Sequence, residues 1–230
     1  PELATRISNV YLVDRADALL APMSKQSQQD TYDALTKLGV IVKLNARVTD
    51  FKDDVVHLST GETIQSKNLI WAAGVGCRAF DGIPQESYGR AKRMIVDGTN
   101  KVVNTNNIYS IGDTCYMEAD AAFPNGHPQV AQVAIQQGLH LAKNLKKQVK
   151  GEALTNFKYK DKGSMAIIGK NKAVVDLPSP KLHFKGFFAW LMWLFIHLLS
   201  LLTQRNRLTT FWNWMVSYFS YDQPLRMIIR

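Results

Sequence analysis

The strongest constraint on the fold is a pair of short apolar runs separated by one helix-length stretch. Residues 7–14 (Ile-Ser-Asn-Val-Tyr-Leu-Val-Asp) read as a buried strand ending in a carboxylate, and residues 40–44 as a second strand. Between them, residues 24–38 read as a helix with Tyr32, Leu35 and Leu38 on one face and Gly39 closing its C-terminus. Two strands joined through a helix pair in parallel, since a tight hairpin only returns the chain antiparallel. The expected fold class is therefore α/β.

Further along, residues around Phe51 and 55–58 alternate as a small antiparallel excursion turning at Thr60-Gly61. Residues 68–73 (Asn-Leu-Ile-Trp-Ala-Ala) read as another buried strand, stopped by Gly74-Val75-Gly76. Residues 77–107 are rich in Gly, Pro, Asn and Asp, with short strands at 94–96 and 101–103, and are taken as a crossing between two domains. A strand at 107–111 closes on Gly112-Asp113, and a long helix is expected over 128–149 with Pro128 in its first turn. Residues 157–159, 165–168 and 172–176 read as strands of a small hairpin region, ended by Pro178 and Pro180. The loop Pro124-Asn125-Gly126-His127-Pro128 suggests no role.

The net charge of +9 is unevenly spread: residues 169–230 hold eight Lys or Arg against two Asp, together with four of the five Trp. Basic, aromatic and apolar together fit an anionic lipid surface and argue against nucleic acid. Two apolar helices are expected there, over 186–202 and 208–221. The first is at the short limit for spanning a bilayer. The second sets Thr209, Asn213, Ser217 and Ser220 on one narrow face, with Phe211, Trp214, Met215, Tyr218 and Phe219 away from it, the pattern of a helix lying in the interface. Cys77 and Cys115 form no CxxC and read as free thiols, with no zinc or other metal site. The start at Pro1, without an initiator Met, reads as a cut end inside a longer protein.

Four motifs carry chemistry. Asp14, at a strand end, is placed to accept hydrogen bonds from a dinucleotide ribose and to repel a 2′-phosphate, although Arg15 beside it weakens that exclusion. The run Gly74-Val75-Gly76-Cys77-Arg78-Ala79, with Asp97 beyond it, matches a dinucleotide fingerprint in letters. Gly82, Pro84 and Gly89 nevertheless forbid the helix such a fingerprint must open, so Ala73-Gly74-Val75 are read instead as a strand exit passing close to a flat ligand. Gly112-Asp113 lets backbone approach a ligand while a carboxylate holds a hydroxyl, near the anion-stabilising start of the next helix. On that helix Gln132 and Gln136 are four apart on one face, suited to the carbonyls of a neutral ring.

These segments, Ile70-Trp-Ala-Ala-Gly-Val75, Ile108-Tyr-Ser-Ile-Gly-Asp113 and Ala131-Gln-Val-Ala-Ile-Gln136, resemble type II NADH dehydrogenases in content and order. So do residues 157–169 and the aromatic tail with Arg205-Asn206-Arg207-Leu208. The resemblance implies the C-terminal part of a flavoprotein with two dinucleotide-binding (Rossmann-like) domains and a membrane-associated helical tail. It implies domains at 1–75 (NADH), 76–150 (FAD), 151–181 (β-hairpin region) and 182–230 (tail). It places Asp14 at the NADH ribose, Ala73, Gly74 and Val75 near the nicotinamide, and Gly112 and Asp113 at the ribityl chain of FAD. Ala131 and Gln132 would lie under the isoalloxazine, Gln132, Gln136 and Phe188 would line a quinone site, and Lys185 would touch the flavin edge. The activity implied is electron transfer from NADH through FAD to a membrane quinone without proton pumping, with no catalytic side chain beyond the flavin. The enzyme would be a homodimer held peripherally at the cytoplasmic face of the inner membrane. The glycine fingerprints for FAD and NADH are absent, so this stretch alone is expected to be inactive. Two alternatives stand beside this reading: a sulfide:quinone reductase-like flavoprotein, and a membrane-docking module without activity.

Overall fold

The computed structural model describes residues 9–72, 74 and 76–220, which form two compact units. One unit joins residues up to Leu69 with those from Gly163 onward, and the other holds Ile70–Lys162.

In the first unit the parallel strand–helix–strand unit is present. Strand β1 (Val10–Val13) pairs with β2 (Val40–Lys43) in register Val10 to Val40, and helix α1 (Lys25–Lys37) connects them. Ser24 caps α1 by accepting the Ser27 N–H at 3.1 Å, and Gly39 follows the helix at φ +84°, a conformation favouring glycine. Strands β3 (Val48–Lys52), β4 (Val55–Leu58) and β5 (Thr63–Gln65) make an antiparallel meander that buries Val56, Leu58 and Ile64 with Ala46.

The helix face is not the expected one. Tyr32 and Leu38 are exposed, and α1 buries Ser27, Gln28 and Thr31. The reason lies far along the chain, where β8 (Ser164–Gly169), β9 (Lys172–Pro178) and β10 (Lys181–Lys185) form an antiparallel sheet centred on β9. This sheet packs on α1 and brings polar partners to it. Pro178 and Pro180 do not end the β region; they flank the turn into β10.

Gly186, at φ +71°, turns β10 into α3 (Gly186–Ser200), which covers β9 over a core of Ala173, Val175 and Ala189. Helix α4 (Gln204–Ser220) folds back on α3. Its return is fixed by Arg207, which donates from Nε to the Leu201 carbonyl (3.0 Å) and from a terminal nitrogen to that of Leu199 (2.9 Å). These are carbonyls that the end of α3 leaves without helical partners. Trp193 meets Trp214, and Tyr218 stacks against Trp190 under the Lys170 ammonium, 4.3 Å from the ring. Among the described residues no helix is long and apolar enough to cross a membrane.

In the second unit, residues 68–72 at its edge are not a strand, and Ile70 is 89% exposed. No strand pairs with them among the described residues, because the chain passes from one unit to the other at this point. Strand β6 (Met94–Val96) pairs in parallel with β7 (Cys115–Met117). The expected strands at 101–103 and 107–111 reduce to isolated bridges, Val96 to Val102 and Lys101 to Tyr109. Helix α2 starts at Ala131 and runs to Val149, later than expected, because the chain is still extended at its N-cap Val130. Residues 157–159 are no strand either. Phe157 and Tyr159 instead drop alternately into a core with Met94, Val96, Val102, Cys115, Met117 and Val133.

Candidate functional site

A polar stripe at a spacing of four, Gln132, Gln136, His140 and Asn144, aligns the segment at 155–162 on α2. Gln132 Oε1 accepts the Lys162 N–H at 3.2 Å. The Gln136 amide both donates to the Lys160 carbonyl (2.9 Å) and accepts the Lys160 N–H (3.1 Å), as a neighbouring strand would. His140 Nε2 lies 2.9 Å from the Thr155 carbonyl. Asn144 donates to that same carbonyl at 2.8 Å and accepts from the Thr155 amide and hydroxyl. The two glutamines expected at a quinone thus also order this backbone.

The loop that suggested no role has one in the fold. Gly126 sits at φ +79°, and a Cβ there would fall 2.8 Å from the Tyr116 ring. His127 is buried among Phe123, Phe157 and Tyr159, with Nε2 3.1 Å from Asp120 Oδ2. Burial pushes the Asp120 carboxyl up, but the Tyr159 N–H, His127 and the Ala122 N–H outweigh it and hold it below the usual carboxylate range.

Gly112 and Asp113 come together with the start of α2. They begin a 3₁₀ turn at Gly112–Thr114, with Gly112 at φ +65° and its absent Cβ only 3.0 Å from the Ala134 Cβ. A larger residue would push the turn off the helix. Buried Gln137 accepts the Gly112 N–H at 2.7 Å. Two groups, Cys77 Sγ and Gln129 Nε2, each donate to the Asp113 carbonyl at 3.1 Å. The Asp113 carboxylate is exposed and makes no hydrogen bond among the described residues, while Val130 at the N-cap of α2 supplies no side-chain acceptor. An acceptor-only carboxylate beside an open positive helix end is a donor–acceptor pair suited to a polyhydroxylated phosphate ester such as the ribityl part of a flavin nucleotide.

Of these residues the sequence reading missed Gln137, Gln129 and Cys77. Gln137 was the legible one: it lies one helical turn after buried Val133 and seven residues before buried Asn144, so the helical period alone faces it inward.

Asp14 lies in the other unit, as expected at the end of β1. Its N–H continues the ladder to the Lys43 carbonyl at 2.9 Å, and its Oδ1 accepts the Ala16 N–H at 2.9 Å. At that edge Asp17, Leu19, Lys25, Gln28, Tyr32 and Leu44 line a cavity of about 300 Å³. Open α/β sheets place ligands at the carboxyl ends of their parallel strands, which is where this cavity sits. Lys185 is also in this unit, where its ammonium donates to Asp30 Oδ1 at 2.8 Å. Phe188 is exposed on the first turn of α3. Gly74 adopts φ +71° with open space around it, and Ala73 and Val75 lie outside the described residues. Among the described residues no α-helix opens directly after Gly76; the next helical turns are 3₁₀, at Gln85–Ser87 and Arg90–Lys92.

Both cysteines are free. Burial pushes the Cys115 thiol up to about 11, against the smaller opposing effects of Gln137, Arg93 and Asn100, which leaves it a poor nucleophile.

Residues 2–138 match the pyridine nucleotide-disulphide oxidoreductase family, and residues 162–220 match the NDH2 C-terminal domain. The type II NADH:quinone oxidoreductase NdhA of Mycobacterium tuberculosis is 35% identical over 222 residues, covering 91% of this chain and 45% of that protein. Among solved structures, NDH2 from Plasmodium falciparum in complex with NADH superposes with a TM-score of 0.78 at 18% identity, over 92% of this chain and 58% of that one. The sulfide:quinone oxidoreductase of Aquifex aeolicus follows at 0.64 and 15% identity, over 93% and 54%. The chain thus spans about half the length of the curated relatives it matches. The chain belongs to the pyridine nucleotide-disulphide oxidoreductase family, with an NDH2 C-terminal domain match at residues 162–220.

Proposed function

We propose that this chain is part of an enzyme that carries electrons from NADH through FAD to a quinone at a membrane surface. When bound, the flavin supplies the redox chemistry, accepting a hydride from NADH and passing two electrons on. The observation that carries the reading is the meeting of the Gly112–Asp113 turn with the open N-terminus of α2. Asp113 binds ribityl hydroxyls, and the first turn of α2 at Ala131 and Gln132 faces the ring. In the first unit, Asp14 is assigned to the NADH ribose beside the cavity at the strand ends; Ala73, Gly74 and Val75, which belong to the second unit, are assigned to the nicotinamide. Gln132 and Gln136 are assigned to the quinone ring; in the first unit, Phe188 is assigned as a quinone contact and Lys185 as a flavin contact, each on its own.

The α3–α4 hairpin is the membrane contact. Phe188, Phe195, Leu202, Leu208, Trp212 and Phe219 are all exposed on it, while Trp214 and Tyr218 turn inward against α3. Lys170, Lys172, Lys181, Lys185, Arg205 and Arg207 add attraction to an anionic leaflet. An in-plane hairpin of this kind holds the enzyme peripherally, at the cytoplasmic face of the inner membrane. A homodimer would bind more firmly, through a second hairpin at high effective concentration.

The test is Asp113→Ala in the intact protein, with flavin per polypeptide read from the visible absorption spectrum. Flavin content should fall while the far-ultraviolet spectrum stays unchanged. Full flavin retention would remove Asp113 from the site and leave the reading without its main support.

A further inference from the structure

The contact between α1 and the β8–β10 sheet is held largely by charge. The buried residues of α1 are Ser27, Gln28 and Thr31, none of them apolar. Facing them is His183 on β10, which lies opposite Asp176 of β9 in the sheet register. Its Nδ1 is 2.9 Å from Asp176 Oδ1, and its Nε2 is 2.8 Å from Asp30 Oδ2 on α1. Asp176 also accepts the Ser24 N–H (2.8 Å), the Ser24 hydroxyl (2.9 Å) and the Ser27 hydroxyl (2.9 Å). A carboxylate from a distant strand thereby sits on the N-terminal turn of α1, where the helix dipole favours it. The second oxygen of Asp30 takes the Lys185 ammonium, which Asp33 of α1 also attracts.

An ionised carboxylate only accepts hydrogen bonds, and a neutral imidazole donates from one nitrogen alone. With a carboxylate on each ring nitrogen, both contacts are attractive only if both nitrogens carry protons. The one other group on Nδ1 is the Ser27 hydroxyl at 3.2 Å, and its proton already has a closer acceptor in Asp176.

We propose that His183 is the cationic pin of a proton-dependent latch between α1 and the C-terminal sheet. With the imidazolium in place the two elements are held together. Removing the proton sets a nitrogen lone pair against a carboxylate and loosens the joint. The latch is well placed to matter, because α1 lines the cavity at the strand ends through Gln28, Gln29 and Tyr32, and β10 runs directly into α3 with its exposed apolar face. Both carboxyls are pushed up by burial and pulled further down by their partners, to a net position below the usual range. Their contribution therefore holds above the ordinary carboxylate range and is lost as pH falls through the lowered values.

The experiment combines ring nitrogen NMR of ¹⁵N-histidine-labelled intact protein with amide hydrogen exchange, across a titration from about pH 6 to pH 9. His183 should show two protonated ring nitrogens at the acidic end. Protection factors in β10 and the first turn of α1, which already remove the intrinsic pH dependence of exchange, should fall by about tenfold or more as the ring titrates. In His183→Gln, whose amide cannot titrate, protection should be lower and flat with pH. Should that variant not fold, the wild-type titration decides alone. A neutral ring at about pH 6, with the Ser27 hydroxyl donating to Nδ1, would overturn the proposal, as would protection that does not change through the titration.

Discussion

Helices α1 and α2 each hold a segment of chain from far along the sequence, and they do it with opposite chemistry. Helix α2 uses neutral amides and an imidazole in register with the backbone of 155–162, above a core into which Phe157 and Tyr159 are driven. Helix α1 uses Asp30, with Ser24 and Ser27, to meet Asp176, His183 and Lys185. The difference teaches what each joint resists. A neutral ladder over apolar burial is nearly indifferent to salt and pH, because its strength lies in amide and carbonyl hydrogen bonds and in buried apolar area, not in ion pairs. A joint rich in ion pairs responds to both, since much of its strength lies in charges that protons and ions can cancel.

The comparison is broken most severely by Phe157→Ala. Phe157 is 4% exposed, and removing a buried ring costs about 3–5 kcal/mol. Thermal unfolding should show the loss in the 70–162 unit, where the ladder cannot replace the core beneath it. A change below about 1 kcal/mol would mean that the amides alone hold 155–162.

Next in size is Asp176→Asn, which keeps the shape but removes the charge facing His183 and the helix end. Its charge-assisted bonds, discounted for partial exposure, make the expected loss about 1–2 kcal/mol. The loss should shrink with added salt and fade as pH falls through the lowered Asp176 value, where the wild-type carboxyl is itself protonated. A salt-independent loss would place the joint in the same class as the α2 ladder.

Gln136→Ala should be the mildest, at about 0.5–1.5 kcal/mol, because Lys160 is exposed and water can replace the amide. This variant sharpens the assignment of Gln136 as well. In the intact protein, flavin reduction by NADH should stay fast while quinone turnover drops. Equal loss in both half-reactions, accompanied by reduced exchange protection at 157–162, would make the backbone clamp the whole role of Gln136.

Period and punctuation made several elements readable. The strand–helix–strand opening, the Gly39 exit and the meander through Thr60-Gly61 are local features, set by residues within a few positions of one another. Gly-Asp turns are common, so Gly112 and Asp113 stood out only together with the helix that starts soon after them. The resemblance found in Ile70–Val75, Ile108–Asp113 and Ala131–Gln136 carried the family assignment, which the comparisons support along most of the chain. It did so even though residues 68–72 form no strand in the structure.

What only the tertiary structure decided was where polar side chains go. In isolation Gln132 and Gln136 read as solvent-facing or ligand-facing, and nothing in the local sequence singles out Asn144, Ser27, Thr31 or His183. Their partners lie 11 to 30 residues away in the α2 ladder, and at Asp176 the separation is 149 to 152 residues for Ser27 and Ser24. Hydrophobic burial is non-directional and leaves a periodic trace in the sequence. A hydrogen bond or ion pair instead depends on one partner at one distance, and nothing in the local sequence records which distant group the fold will deliver.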